Sequence, residues 1–250
     1  MAYHPFRTIG EDRGANILVI CDHAANTVPA TIADGDLGLP EADMNRHIAY
    51  DIGGAGVSLH LGFLLDAPVC LSNFSRLVID PNRGEDDPTL LMQLYDGSMI
   101  PANRGADAAE VERRLELCYR PYHAELARLI AARHRPVIIS VHTFTPQLRG
   151  RPPRPWQVGI LSNTDRRLSD PILGRLRAQP DLCVGDNEPY SGALKGDTMD
   201  RHALGPGLLH TLIEVRNDLI ETEAGQHAWA DRLAPVLAGA ISEVTERETT

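Results

Sequence analysis

Residues Ile17-Leu-Val-Ile-Cys21 form an unbroken apolar run that stops at Asp22, His23 and, three residues later, Asn26. Five β-favouring residues without polar alternation leave no face for water, so the run reads as a strand buried on both sides, the kind found in a mostly parallel sheet. Pro136-Val-Ile-Ile-Ser-Val-His142 repeats the design, a continuous apolar run closing on a histidine. In open α/β sheets ligands bind outside the carboxyl ends of the strands, so Asp22, His23, Asn26 and His142 are candidate site residues. The competing reading of the first cluster is an Asx-rich turn with an incidental histidine.

The rest of the chain supplies further elements of the same class. Glu41-Ala-Asp43 opens a segment to about Leu61 with loosely helical spacing, in which His47 and Asp51, four apart, would share one helix face and either point into a site or form a local surface pair. Residues 67–71 and 76–80 are short enough for two neighbouring strands, the second ending in Asp80-Pro-Asn82-Arg83. Residues 84–106 are rich in Gly, Asp and Pro and have no period, which marks a long functional or mobile excursion. A helix is expected from about Asp107 to Arg133, with a kink or break near Arg120 caused by Pro121. His123 falls within it and reads as a packing or surface residue.

Residues 145–156, with four prolines and three arginines, form a loop. Strands follow at 158–162, 182–185 and 208–213, with a helix from Asp165 to Arg177 between the first two. The last strand ends at Glu214, and a terminal helix from about Thr222 to Thr245 covers the sheet. The sum is a mixed α/β sheet flanked by helices in a single domain of 250 residues, with no linker and no internal repeat.

Composition narrows the partners. A formal net charge of −10 leaves no basic footprint for nucleic acid or an anionic membrane. No apolar run approaches the ~18 residues of a membrane span, and the first residues show no hydrophobic signal core. Cys21, Cys70, Cys118 and Cys183 are scattered beside apolar runs without a C-x-x-C pair and read as small buried hydrophobes of a reduced compartment. A cytoplasmic protein is expected.

If the strands ending in His23, His142 and Glu214 run the same way, two imidazoles and a carboxylate meet at one rim of the sheet. Neutral imidazoles suit Zn²⁺, which in catalytic sites keeps three protein ligands and a water, while a nearby unligated Glu can take that water's proton. Arg76, Asn82 and Arg83 add donors in the geometry that grips a substrate carboxylate.

Six ordered motifs carry a resemblance beyond spacing. They are Cys-Asp-His23-Ala-Ala-Asn26-Thr-Val-Pro, His47-Ile-Ala-Tyr-Asp51-Ile-Gly, Ser-Arg76-Leu-Val-Ile-Asp-Pro-Asn82-Arg83, Val-His142-Thr-Phe, Asn187-Glu-Pro-Tyr190-Ser and Ile-Glu214-Val-Arg-Asn-Asp-Leu. Together they resemble the N-formylglutamate amidohydrolase family over about residues 15 to 220. That family is related to the zinc carboxypeptidases and to the aspartoacylase and succinylglutamate desuccinylase group. The resemblance implies a phosphorylase/hydrolase-like, zinc-exopeptidase-like sheet and a divalent metal, zinc in the first instance, held by His23 and His142.

It further implies Glu214 as general base, Arg76 as polariser of the acyl carbonyl, and Asn82, Arg83, Asn187, Tyr190 and Arg201 as substrate contacts. The zinc relatives place a glutamate where this chain has Asn26, a neutral and weak zinc ligand. Either Asn26 coordinates through its oxygen, or Asp22 or Asp51 substitutes, or metal binding is weak. The implied activity is hydrolysis of the N-acyl, first of all N-formyl, amide of a small acidic amino acid such as N-formylglutamate. The alternatives are a non-catalytic binder of small carboxylates and an amidohydrolase acting on another N-acyl amine or a peptide.

Overall fold

In the computed structural model, which describes residues 3–249, the chain starts with β1 (Phe6–Ile9) and β2 (Ile17–Cys21), followed by α1 (Glu41–Met44), α2 (Gly54–Leu64) and β3 (Val69–Ser72). A hairpin of β4 (Leu94–Tyr95) and β5 (Ser98–Met99) precedes α3 (Pro101–Arg104), α4 (Ala108–Arg114), α5 (Arg120–Ala131) and β6 (Val137–Phe144). The chain closes with β7 (Val158–Leu161), α6 (Ser169–Arg177), β8 (Val184–Asp186), β9 (His210–Arg216) and α7 (Glu223–Thr249).

Seven strands make one sheet in the order β1-β3-β2-β6-β9-β7-β8. The four central strands, β3, β2, β6 and β9, are parallel, so their carboxyl ends share one edge. The sheet is mixed because β1 and β7 join this block antiparallel. The unbroken apolar runs have the expected cause. Val19, Cys21, Ile139, Val141, Ile213 and Val215 face one core, roofed by α2, α6 and α7, while Leu18, Ile20, Ile138 and Leu212 face another, under α4 and α5. Each such side chain, fully buried, contributes on the order of 1.5–3 kcal/mol, so the centre of the sheet is its most strongly held part. No helix among the described residues is long and apolar enough to cross a membrane.

Several elements differ from the sequence expectation. Residues 41–61 are not one helix: α1 ends at Met44, a turn carries His47 and Asp51, and α2 starts only after Gly53. Gly53 has φ +79°, and a Cβ there would collide with the carbonyl of Ile220, so the break requires glycine. Residues 76–80 are not a strand. Their backbone bonds go to Ala49, Ser75 and Leu90, and Leu77, Val78 and Ile79 plug the second core as buried coil.

The excursion at 84–106 is ordered by the β4–β5 hairpin and α3. β1, with only Phe6 and Ile9 as apolar residues, carried no sequence signal. The break near Arg120 is present as a π-helical turn, Leu115–Tyr119, just before Pro121. Cys21, Cys70 and Cys118 are buried, whereas Cys183 is exposed.

Gly159 on β7 pairs in register with Glu214 on β9, and a Cβ on it would overlap the carbonyl of Glu188. Gly159→Ala should therefore cost about 1–3 kcal/mol through overpacking, read as a drop in the urea midpoint. Gly174→Ala, inside α6 with open space at its Cβ, should instead stabilise by about 0.4–1 kcal/mol.

Candidate active site

The carboxyl edge of the parallel block assembles the site. Asp22 and His23 follow β2, and β6 and β9 are registered so that His142 lies beside Glu214. Asp51 reaches the same place from the turn before α2, its backbone N–H donating to the carbonyl of His23 at 2.9 Å. His23, Asp51 and His142 are all buried, and one donor atom from each lies within 4.8 Å of the others, so this group could hold a metal ion. The two rings meet edge to face with centroids 4.8 Å apart.

Each histidine has an inner and an outer nitrogen. The outer Nε2 of His23 lies 2.7 Å from Asp80 Oδ1, and the outer Nε2 of His142 lies 3.2 Å from Asp22 Oδ2. The inner Nδ1 atoms both face Asp51, at 3.4 Å from His23 and 3.0 Å from His142. A carboxylate behind each imidazole fixes its orientation and makes the inner nitrogen a better donor to a metal. His23 Nδ1 is buried without a hydrogen-bond partner, an atom poised for a ligand.

The carboxylates are held in turn. Asp22 Oδ1 accepts from the Tyr122 hydroxyl at 2.8 Å and from Thr198 at 3.0 Å. Asp51 Oδ2 accepts the Thr143 N–H at 3.0 Å, and Asp80 accepts Arg76 Nη2 at 2.8 Å and the Asn82 N–H at 2.9 Å. Burial pushes all three carboxyls up, but hydrogen bonds and neighbouring positive charge outweigh it, so each stays below the ordinary range: His142 acts on Asp22, both histidines on Asp51, and Arg76 with His23 on Asp80. Burial disfavours the His142 cation, yet bonds to Asp22 and Asp51 raise its pKa well above the usual histidine value.

Glu214 is the exception. It is buried with Oε2 unpartnered, and its pKa is pushed up to about 8, first by burial and then by the charge of Asp51, against the opposing fields of His142, Arg76 and Arg154.

A cavity of about 180 Å³ opens over these groups, walled among others by Arg76, Asn82, Arg83, Tyr95, Tyr190 and Glu214. Asn82 Oδ1 accepts the Thr198 N–H at 3.1 Å, which leaves its amide nitrogen free to donate. Arg83 spans to Thr89 and the Asn82 carbonyl, and its guanidinium has no ion pair with Glu85, Asp86 or Asp87. His47 also lines the cavity, its Nε2 without a hydrogen bond but 3.5 Å from Asp96 Oδ2, and burial holds its pKa down at about 4.

Three sequence candidates lie elsewhere. Asn26 is turned away, its amide donating to the Met44 carbonyl at 3.0 Å and to Asn45 at 3.1 Å, and Asp51 stands with the two histidines in its place. Asn187 has a left-handed backbone, and its side-chain oxygen accepts the N–H groups of Ser162 and Gly192, both at 3.0 Å, so it ties a loop and does not form the cavity wall. Arg201 lies 5.2 Å over the Tyr119 ring, off the cavity. Sequence reasoning missed Asp80 as the partner of His23, although Arg76 and Asp80 four apart were its trace. It also missed Tyr95, for which the aperiodic stretch at 84–106 held no signal. His123, buried, holds the loop instead, bridging the Pro81 carbonyl at 3.0 Å and His202 at 2.9 Å.

A mixed α/β sheet with a buried His, Asp, His group beside a cavity is the class of protein that these observations define. The sequence matches the N-formylglutamate amidohydrolase family over residues 15–221, and the chain belongs to that family of amidohydrolase enzymes. A crystal structure of a gene product from Agrobacterium tumefaciens is similar at 33% identity and a TM-score of 0.90, with 96% of each chain covered. An N-formylglutamate amidohydrolase from Ralstonia eutropha JMP134 shares the fold at 20% identity and a TM-score of 0.66, with 95% of this chain and 97% of that one covered. No curated protein sequence matches.

The outer carboxylates generate a prediction. Asp80→Asn keeps the shape but weakens the orienting bond to His23, so if the group holds a metal ion its affinity, read by competition titration with Zn²⁺ as the probe, should fall roughly 10–100-fold. Asp170→Asn, at an exposed pair with Arg166, should leave it unchanged.

Proposed function

We propose that this chain is a metal-dependent amidohydrolase that removes the acyl group, formyl in the first instance, from an N-acylated acidic amino acid such as N-formylglutamate. The observation that carries the reading is Glu214, a buried carboxylate with an unpartnered oxygen, beside the His23, Asp51 and His142 group in one cavity. Family membership supports the reaction class.

The residues fit a divalent cation. His23 and His142 offer nitrogen and Asp51 offers oxygen, a donor set that suits zinc. The orphaned His23 Nδ1 and the excess of carboxylates over cations around it favour a positive ion there. In this reading Asp51 supplies the anionic ligand that Asn26 could not, which supports the metal-dependent hydrolase over a non-catalytic carboxylate binder. A bound ion supplies Lewis acidity toward the acyl carbonyl and lowers the pKa of water.

The chain's own groups do the rest. Glu214 Oε2 takes a proton from the attacking water and returns it to the departing amide nitrogen, a role suited to a carboxylate whose pKa burial has raised to about 8. Arg76 is fixed by Asp80 and directs its positive charge toward the oxygen that becomes negative. Asn82 and Arg83 hold a carboxylate of the substrate with their free donors.

Purified protein should release formate from N-formyl-L-glutamate when loaded with Zn²⁺, Co²⁺ or Mn²⁺, lose turnover to a chelator and regain it on metal return. No turnover across a panel of N-acyl amino acids with any of these metals would overturn the reading. His142→Ala should lose metal and activity together. Glu214→Gln should keep metal content and thermal midpoint yet lose at least ~10²-fold in kcat. Near-full turnover by Glu214→Gln would eliminate the proton-transfer role.

A further inference from the structure

An N-acylated acidic amino acid carries two carboxylates, and the site described so far has free donors for one. Of the arginines around the cavity, Arg76 is occupied by Asp80 at 2.8 Å and lies 3.5 Å from Asp51. Arg83 stands with Asn82 at the first carboxylate. Arg201 lies over Tyr119, away from the wall.

Arg154 remains. It comes from the proline-rich loop, half-buried, with its backbone N–H donating to the Pro146 carbonyl at 2.8 Å. Its Nη1 donates to the Thr145 carbonyl and to the Tyr190 hydroxyl, both at 3.1 Å. The guanidinium carbon is 4.9 Å from the Tyr190 ring centre and 5.8 Å from that of Phe144. Thr145, Tyr190 and Phe144 are all wall residues of the cavity. Arg154 does not itself line the cavity, but unlike Arg201 its guanidinium is packed against three residues that do, with two aromatic rings holding it, a geometry that orders a long side chain without neutralising it.

No carboxylate lies within ion-pair distance of Arg154 among the described residues, and its Nε and Nη2 make no hydrogen bond there. That is unusual company for a chain whose acids outnumber its Lys and Arg by 34 to 24, since a half-buried cation with no anion leaves a charge uncompensated.

We propose that Arg154, braced by Tyr190 and Phe144, is the specificity-determining cation that binds the second carboxylate of the substrate and so selects acidic over neutral acyl amino acids. This rests on the amidohydrolase reading for its reaction but not for its binding chemistry. Two nitrogens of one fork remain free, enough for a bidentate carboxylate contact. The competing role is structural, with Arg154 pinning the proline-rich loop to the wall.

The test compares N-formyl-L-glutamate with N-formyl-L-glutamine, which differ only in the side-chain charge, in wild type, Arg154→Gln and Arg154→Lys. Arg154→Gln should lose about 30-fold more kcat/KM on the glutamate substrate than on the glutamine one, mostly in KM, because a partner of a desolvated charge pair has been removed. Arg154→Lys, which restores charge without the fork, should recover part of that difference. A structural role would lower both substrates alike, and an unchanged substrate ratio in Arg154→Gln overturns the proposal.

Calorimetric binding of glutarate against pentanoate supplies a readout that needs no turnover. Wild type should prefer glutarate, and Arg154→Gln should lose that preference. If wild-type protein hydrolyses no N-formyl amino acid, the proposed reaction fails, and the glutarate preference alone upholds or overturns the role of Arg154.

Discussion

The Asp51 carboxylate sits between two imidazoles, and the site's organisation depends on that contact. One oxygen accepts the Thr143 N–H and faces His142 Nδ1, both at 3.0 Å, while the other faces His23 Nδ1 at 3.4 Å and Arg76 at 3.5 Å. Three separate chain segments thereby converge on one side chain. The convergence is possible because β2 and β6 are neighbours running the same way, so the residues at their carboxyl ends arrive at one height. The apolar cores on both faces hold those strands far more strongly than the polar centre could hold itself. The sheet is thus the rigid part, and the polar groups are ordered at its edge.

What was legible in the sequence follows from that division. His23 and His142 were found because an unbroken apolar run announces a doubly buried strand, and its end announces the sheet edge. Glu214 was found the same way, although β9 runs two residues beyond it. Asp51 and His47 were paired correctly but for the wrong reason. They share the cavity because a turn closed by Gly53 bends back over the sheet, not because they sit four apart on a helix. A left-handed glycine required by the approach of Ile220 depends on a residue far away in sequence, so no local pattern encodes it.

Arg76 to Asp80 shows the opposite failure. Its apolar run, Leu77-Val-Ile79, has strand composition, but it pairs with no strand, and the backbone groups find partners in Ala49 and Leu90 instead. Burial without a sheet is what the composition then produces, and it is this coil that lets Asp80, held by Arg76, meet His23. Tyr95 and Arg154 were invisible for a simpler reason. Tyr95 closes the two-residue strand β4 and Arg154 lies in a loop, and both places are fixed by tertiary contacts, Asp96 with Arg46 at 2.7 Å in one case and Pro146 with the backbone of Arg154 in the other. The family resemblance reached the site through motifs, yet it could not say that Asn26 would turn outward toward Met44.

The charge balance separates the acids of the site by what they can do. Asp80 is met by a two-pronged arginine and a backbone N–H, Asp22 by a phenol, a hydroxyl and an imidazole, and Asp51 by a backbone N–H and two imidazoles. All three are stabilised in the charged form, so none is suited to exchange protons near neutral pH. Glu214 is buried as deeply but has been given no donor, at a cost of about 1–3 kcal/mol for the unmet oxygen. A fold that satisfies three neighbouring carboxylates and leaves Glu214 unmet keeps a group whose charge state is free to change, and Asp197, buried at the cavity wall with its pKa pushed up to about 6 by burial, is a second. Under the proposed reaction, Glu214 is the group the attacking water needs, and the donors around Asp22, Asp51 and Asp80 keep those three acids from competing for its proton.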